Sequence, residues 1–183
     1  MATIDTFIVF TGIYPDKESA EADYALVKEL FGKEGLVDAY DAAVVERRED
    51  GKVKLGKKHE TPTRAGGVLG GGVGLATGLV VALFPFAAIG GGLLAATTAG
   101  GAVLGAVAGH AAAGMSRGDL KELGEELDAG QAGLVVVAVA DMESRVREVM
   151  QRADKLAEKQ LKVDQEALAQ DAEQAGGDAG GSD

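Results

Sequence analysis

The feature that most restricts this chain is a stretch of 52 residues, Ala65 to Ser116, without one Asp, Glu, Lys or Arg. His110 is its single ionisable side chain, and fifteen of the protein's 28 glycines fall inside it. Gly66, Gly70, Gly74 and Gly78 stand four apart, as do Gly101, Gly105 and Gly109, and Ala113 continues the second series. Residues four apart share one face of a helix. Each half of the stretch therefore predicts a helix with a stripe bare of side chains, against which another helix backbone can press. Such spacing suits association by van der Waals contact, above all in lipid, where burial of apolar surface gains little. These eight residues are the expected helix-packing interface of a glycine-zipper hairpin over 65–115, turning near Pro85.

The flanks read as an ordinary small domain. Ile4 to Ile13 is rich in Ile, Val, Phe and Thr and has the length of a strand. Asp16 can cap a helix in which Ala20, Tyr24, Val27, Leu30 and Phe31 follow the 3.6-residue period, with Gly32 or Gly35 to stop it. Tyr40, Ala42 and Val44, then Val53 and Leu55, suggest two strands joined through Asp50-Gly51, a strong hairpin signal. Beyond the uncharged stretch, Ser116 and Asp119 form a capping box for a helix through Leu120, Leu123 and Leu127 that stops near Gly130. The apolar run Leu134 to Val137 then has the continuity of a buried strand.

With the stretch removed, the order is β-α-β-β-α-β, which is that of a ferredoxin-like sandwich. The expected fold class is thus α+β, a ferredoxin-like body over 1–64 and 116–141 interrupted by the hairpin. An extra amphipathic helix is expected over 142–172, capped by Asp141, with Val146, Val149, Met150, Ala153, Leu156 and Ala157 as its apolar stripe. The acidic, Gly-rich end, 173–183, is expected to be disordered.

Three segments carry a likeness. DAAVVERREDGKVKL (Asp41 to Leu55), the double Gly/Ala/Leu segment after it, and LKELGEELDAGQAGLVVVAV (Leu120 to Val139) together resemble a bacterial domain-of-unknown-function family of glycine-rich membrane or general-stress proteins. The resemblance covers residues 4 to 150 and stops near Met150. It implies a ferredoxin-like body with a glycine-zipper hairpin and no established biochemical activity.

Length allows the hairpin to cross a bilayer. At about 1.5 Å per residue, Gly66 to Phe84 reaches roughly 28 Å against a hydrocarbon core of about 30 Å. Arg47, Arg48, Lys52, Lys54, Lys57, Lys58 and Arg64 before the stretch, with Arg117 and Lys121 after it, would put both flanks on the cytoplasmic side of an inner membrane. A re-entrant hairpin is the variant, since Phe84 to Ala88 is itself apolar apart from Pro85. The opposing reading is a cytoplasmic homo-oligomer with the hairpin buried between subunits, because Gly and Ala contribute little to insertion.

Few residues of the chain point to chemistry. Gly90, Gly92 and Ala95 match G-x-G-x-x-A, but a region this rich in Gly and Ala produces such matches by composition. His59 and His110 lie apart and have no cysteine beside them, since the chain has none. His59 reads as solvated, and His110 as reaching interfacial water or serving within lipid. A net charge of -11 argues against nucleic acid. The sequence therefore predicts a non-enzymatic, membrane-associated structural or stress-related protein, without metal or cofactor, whose partners are lipid and further copies of itself. Its alternative is a soluble oligomeric scaffold or small-ligand-binding protein.

Overall fold

The computed structural model describes residues 4–37, 39–49, 53–59, 75–83, 99–129, 132–164, 166–171 and 174. Five strands, β1 (Ile4–Tyr14), β2 (Tyr40–Arg47), β3 (Val53–His59), β4 (Ala132–Val139) and β5 (Lys155–Asp164), form one antiparallel sheet in the order β3-β2-β4-β1-β5. Among the described residues it is accompanied by the helices α1 (Lys17–Lys33), α2 (Leu75–Leu83), α3 (Ala99–Ala113), α4 (Arg117–Ala129) and α5 (Glu143–Val149), a 3-10 turn (Ala140–Met142) and a short helical segment, 166–171. The class is mixed α+β, as the sequence predicts.

Both faces of the sheet are covered. On β1, Ile8 and Phe10 point to the first face while Phe7 and Val9 point to the second, and β4 alternates in the same way with Leu134 and Val136 against Val135 and Val137. A strand buried on both sides has no polar face to show. This explains the unbroken apolar run of β4 and the blurred alternation from Ala42 to Val45. The first face packs on α1, the 3-10 turn and α5 through Tyr24, Val27, Phe31, Met142 and Val146. The second packs on α2, α3 and α4 through Leu75, Leu79, Val80, Val107, Ala111 and Leu123.

Local signals behave as expected at the first helix. Asp16 accepts a 2.7 Å hydrogen bond from the Ser19 amide, and α1 runs on through Gly32 to end at Gly35, whose φ of +69° supplies the left-handed turn. β2 and β3 pair as a hairpin with a register shift between Ala43 and Val45, while the turn residues Asp50 and Gly51 lie outside the described set. At α4, Ser116 Oγ accepts from the Asp119 amide at 3.0 Å.

Two expectations are corrected. The helix over 142–172 is not formed: α5 ends at Val149, and Lys155 to Asp164 is a strand paired with all but the last residue of β1. The break comes from a tertiary contact, because Asp23 on α1 captures the Arg152 amide at 2.9 Å and Ile13 captures the Asp154 amide at 2.8 Å. Nor does Asp141 cap α5, whose N-cap is Met142 with no side-chain bond. The second correction concerns the uncharged stretch. Its described part does not leave the body but returns to the sheet as the cover of the second face.

Candidate functional site

Of the eight residues expected to form the helix-packing interface, Gly66, Gly70 and Gly74 lie outside the described set, and Gly101 and Gly105 are described only as backbone of α3. Gly78 is the residue at which two helices meet. A Cβ placed there would run into Val107 Cγ1 and stand 3.1 Å from the Val107 carbonyl carbon, so α2 and α3 approach as only glycine allows. Gly109 and Ala113 point outward instead; an added Cβ at Gly109 would have nothing within 4 Å. The partner of Gly78 is therefore a valine, one face round from the small-residue series on α3.

A glycine outside both series does similar work. A Cβ on Gly114 would strike the Lys162 carbonyl oxygen and lie 2.7 Å from Leu161 Cδ1. The contact is also bonded, since the Lys162 amide donates to the Gly114 carbonyl at 3.0 Å. The end of α3 is thereby pinned along the outer edge of β5. Sequence spacing could not reveal this, because Gly114 falls out of the four-residue repeat.

Polar ties hold the hairpin at both ends. Asp41, fully buried on β2, accepts a 2.8 Å hydrogen bond from the Leu75 amide at the start of α2. An acceptor there satisfies an orphan amide and meets the positive end of the helix dipole. At the other end His110 Nε2 lies 2.8 Å from Asp171 Oδ2, in the short helical segment 166–171. That segment starts on Asp164, whose Oδ1 accepts from the Glu166 and Ala167 amides, and it drives Leu168 fully into the second-face core.

A separate polar cluster ties the first face. Tyr14 donates to Asp23 Oδ2 at 3.0 Å, and Arg152 Nη1 donates to Asp23 Oδ1 at 2.8 Å. Gly12 lets the Tyr14 ring lie over the strand, since a Cβ there would be 2.7 Å from the ring. Burial, then the charge of Asp23, holds the Tyr14 phenol well above its ordinary value. Burial, with Tyr24 and Asp41 adding to it, does the same at Tyr40. His59 is not simply solvated: its ring stacks on Tyr40 at 4.3 Å and its Nε2 lies 2.9 Å from the Val37 carbonyl. Phe31 also stacks on Tyr40, at 4.2 Å.

No group of His, Asp and Glu that could hold a metal ion occurs among the described residues. Gly90, Gly92 and Ala95 lie outside them. Among the described residues, no helix is long and apolar enough to cross a membrane. α2 and α3, at nine and fifteen residues, span only about 13 and 22 Å.

The family pattern described as protein of unknown function (DUF1269) matches residues 67–173, more than half of the chain. The chain belongs to this family. The DUF1269 match moves the expected boundaries of the likeness, which does not stop near Met150: it begins inside the uncharged stretch and runs on through α5, β5 and the segment carrying Leu168 and Asp171. The matched part thus takes in the hairpin, α4, β4, α5 and β5, and leaves out β1, α1, β2 and β3. No curated protein and no solved structure matches the chain.

Proposed function

We propose that this DUF1269 member is a non-enzymatic structural protein that attaches to a membrane surface and associates with further copies of itself, using its uncharged hairpin for both. The observation that carries this reading is how the hairpin is divided. Leu75 to Val80 are buried in the protein's own core and cannot also face lipid. Ala99 to Ala113 has no charged residue apart from His110, and its outward residues include Gly109 and Ala113. A helix apolar all round ordinarily meets protein or lipid on every side. In sequence, fifteen uncharged residues join the two helices, 84–98, with Phe84, Phe86, Leu93 and Leu94 among them. With Leu75 to Val80 committed to the protein's own core, the first half of the stretch is not free for a full crossing. Surface or re-entrant insertion is therefore favoured over two full crossings. The basic flanks favour a body on the cytoplasmic side of the inner membrane.

The body itself we read as ferredoxin-like in a different way from that expected. β1-α1-β2 brackets β4, and β4-α5-β5 brackets β1, which is the interleaving of a split βαβ pair. In this reading β3 and the hairpin, followed by α4, are one insertion between β2 and β4.

Flotation with anionic lipid vesicles tests the attachment. The full chain should rise with the vesicles and the Phe84→Asp/Phe86→Asp variant should stay below with its circular dichroism unchanged. A wild-type chain left at the bottom of the gradient would refute attachment. A second reading, a soluble homo-oligomer, is favoured by the open space over Gly109. Light scattering without lipid distinguishes it: an assembly whose mass falls on Gly109→Leu supports that reading, and a monomer removes it.

A further inference from the structure

We propose that residues 166–171 are a detachable strap that holds α3 down on the sheet, and that its release is what frees the hairpin for lipid. The second half of this statement rests on the membrane reading above; the first does not.

The strap is a six-residue helical segment following the last strand. Asp164 at the end of β5 caps it by accepting from the Glu166 and Ala167 amides at 3.1 and 3.0 Å. Leu168 is fully buried, in the same second-face cluster as Ala111, Met115, Leu161 and Val163. Asp171 reaches His110, the one ionisable side chain of the uncharged stretch, at 2.8 Å. This pair is partly exposed, 22% for His110 and 57% for Asp171. Among the described residues its holds are Leu168 and the partly exposed His110–Asp171 contact, and holds of this kind open locally before the body unfolds.

What the strap secures is α3, the half of the hairpin whose outward side is uncharged. α2 is tied to β2 through Asp41 and lies deep in the core. α3 meets α2 at Gly78 and β5 at Gly114, while its outward side is uncharged. Detaching Leu168 removes one side chain from the cluster that includes Val107 and Ala111 of α3. It also removes the carboxylate facing His110. β1, β2 and β4 keep all their ladder partners.

Hydrogen exchange on the full chain, read by mass spectrometry, tests the strap without lipid. In Leu168→Asp, exchange of the α3 peptides should rise by about tenfold or more while β1 and β4 stay as slow as in wild type. Leu168→Ala serves if the aspartate variant does not fold, and it should give the same pattern at smaller amplitude. Asp171→Asn and His110→Gln should each raise α3 exchange by a few-fold, and the double variant should do no more than either alone. Unchanged α3 exchange in the Leu168 variants would overturn the proposal, as would a parallel rise across α3 and the sheet, which would make Leu168 ordinary core. Flotation of the same variants reads the other half. A larger vesicle-bound fraction in Leu168→Asp supports release as the trigger. Faster α3 exchange with no flotation in either chain would refute the membrane reading and leave the strap standing.

Discussion

The helices on the two faces of the sheet are built on different plans. On the first face, α1 and α5 turn Val27, Phe31 and Val146 inward and expose Lys28, Glu29, Arg145 and Arg147 to water. Their cluster is rich in rings, with Phe10, Tyr14, Tyr24, Phe31 and Tyr40. On the second face, α2 and α3 have no charged residue but His110, and among the described residues Phe7 is the single ring in a cluster otherwise of aliphatic side chains and Met115. The first face gains from large buried side chains. The second gains from close approach of backbones at Gly78 and Gly114, where small side chains make room for many weak contacts. A cover of the first kind is complete in water. One of the second kind has an uncharged back, and the proposal that it meets lipid or another copy follows from that difference.

Four substitutions or conditions break or sharpen the contrast, taken from the largest effect down. On the first face, Asp23→Ala leaves the buried Tyr14 hydroxyl and the part-buried Arg152 amide without their acceptor, and the loss of such bonds to a buried carboxylate costs about 3 kcal/mol. The urea midpoint should fall accordingly with its slope unchanged. On the second face, Gly78→Leu forces a side chain into Val107, and overpacking should cost about 2 kcal/mol or more. If the loss were no greater than for a surface change, close backbone approach would not be what holds that face.

Gly109→Ala is the opposite case, since its Cβ would meet nothing within 4 Å. Helix propensity should then raise stability by up to about 1 kcal/mol, readable as a small rise in melting temperature. The smallest effect comes from acid. Hydrogen bonding from Ser19 holds the Asp16 carboxyl below its ordinary 3.8. At Asp119 the bond with Ser116, and then Lys159, does the same. A carboxylate with a lowered value in the fold stabilises it fully above that ordinary value, and the contribution disappears as the pH falls below it. Stability measured from pH 5 to pH 2 should therefore decline less in Asp16→Asn than in wild type.

The first face was the more legible from sequence because its signals are local. The cap at Asp16, the 3.6-residue spacing of Ala20 to Phe31 and the left-handed glycine at 35 all act within a turn of where they stand. Where the determinant was distant, the reading failed. Val149, Met150, Ala153, Leu156 and Ala157 continue a helical stripe past the true end of α5, and what stops it is Asp23, 129 residues away along the chain. The alternation of Leu161 and Val163 was the signal available for β5. The repeat of small residues locates helices α2 and α3 and the α2 side of their contact, Gly78, but not the side of α3 that Gly78 faces, which is Val107. It also gave no hint that the stretch covers the second face. That depends on β1, β2 and β4 being apolar on both sides, a pattern that signals a second layer only once the strands are aligned.

The account turns on α2 belonging to the body's own core. Amide exchange of the full chain in lipid-free, detergent-free buffer measures this directly. The account predicts that the amides of Leu79 to Leu83, which donate within the helix, exchange as slowly as those of Leu134 to Val137 in the central strand. Exchange of those α2 amides at the rate of an open segment, with the sheet still protected, would contradict it.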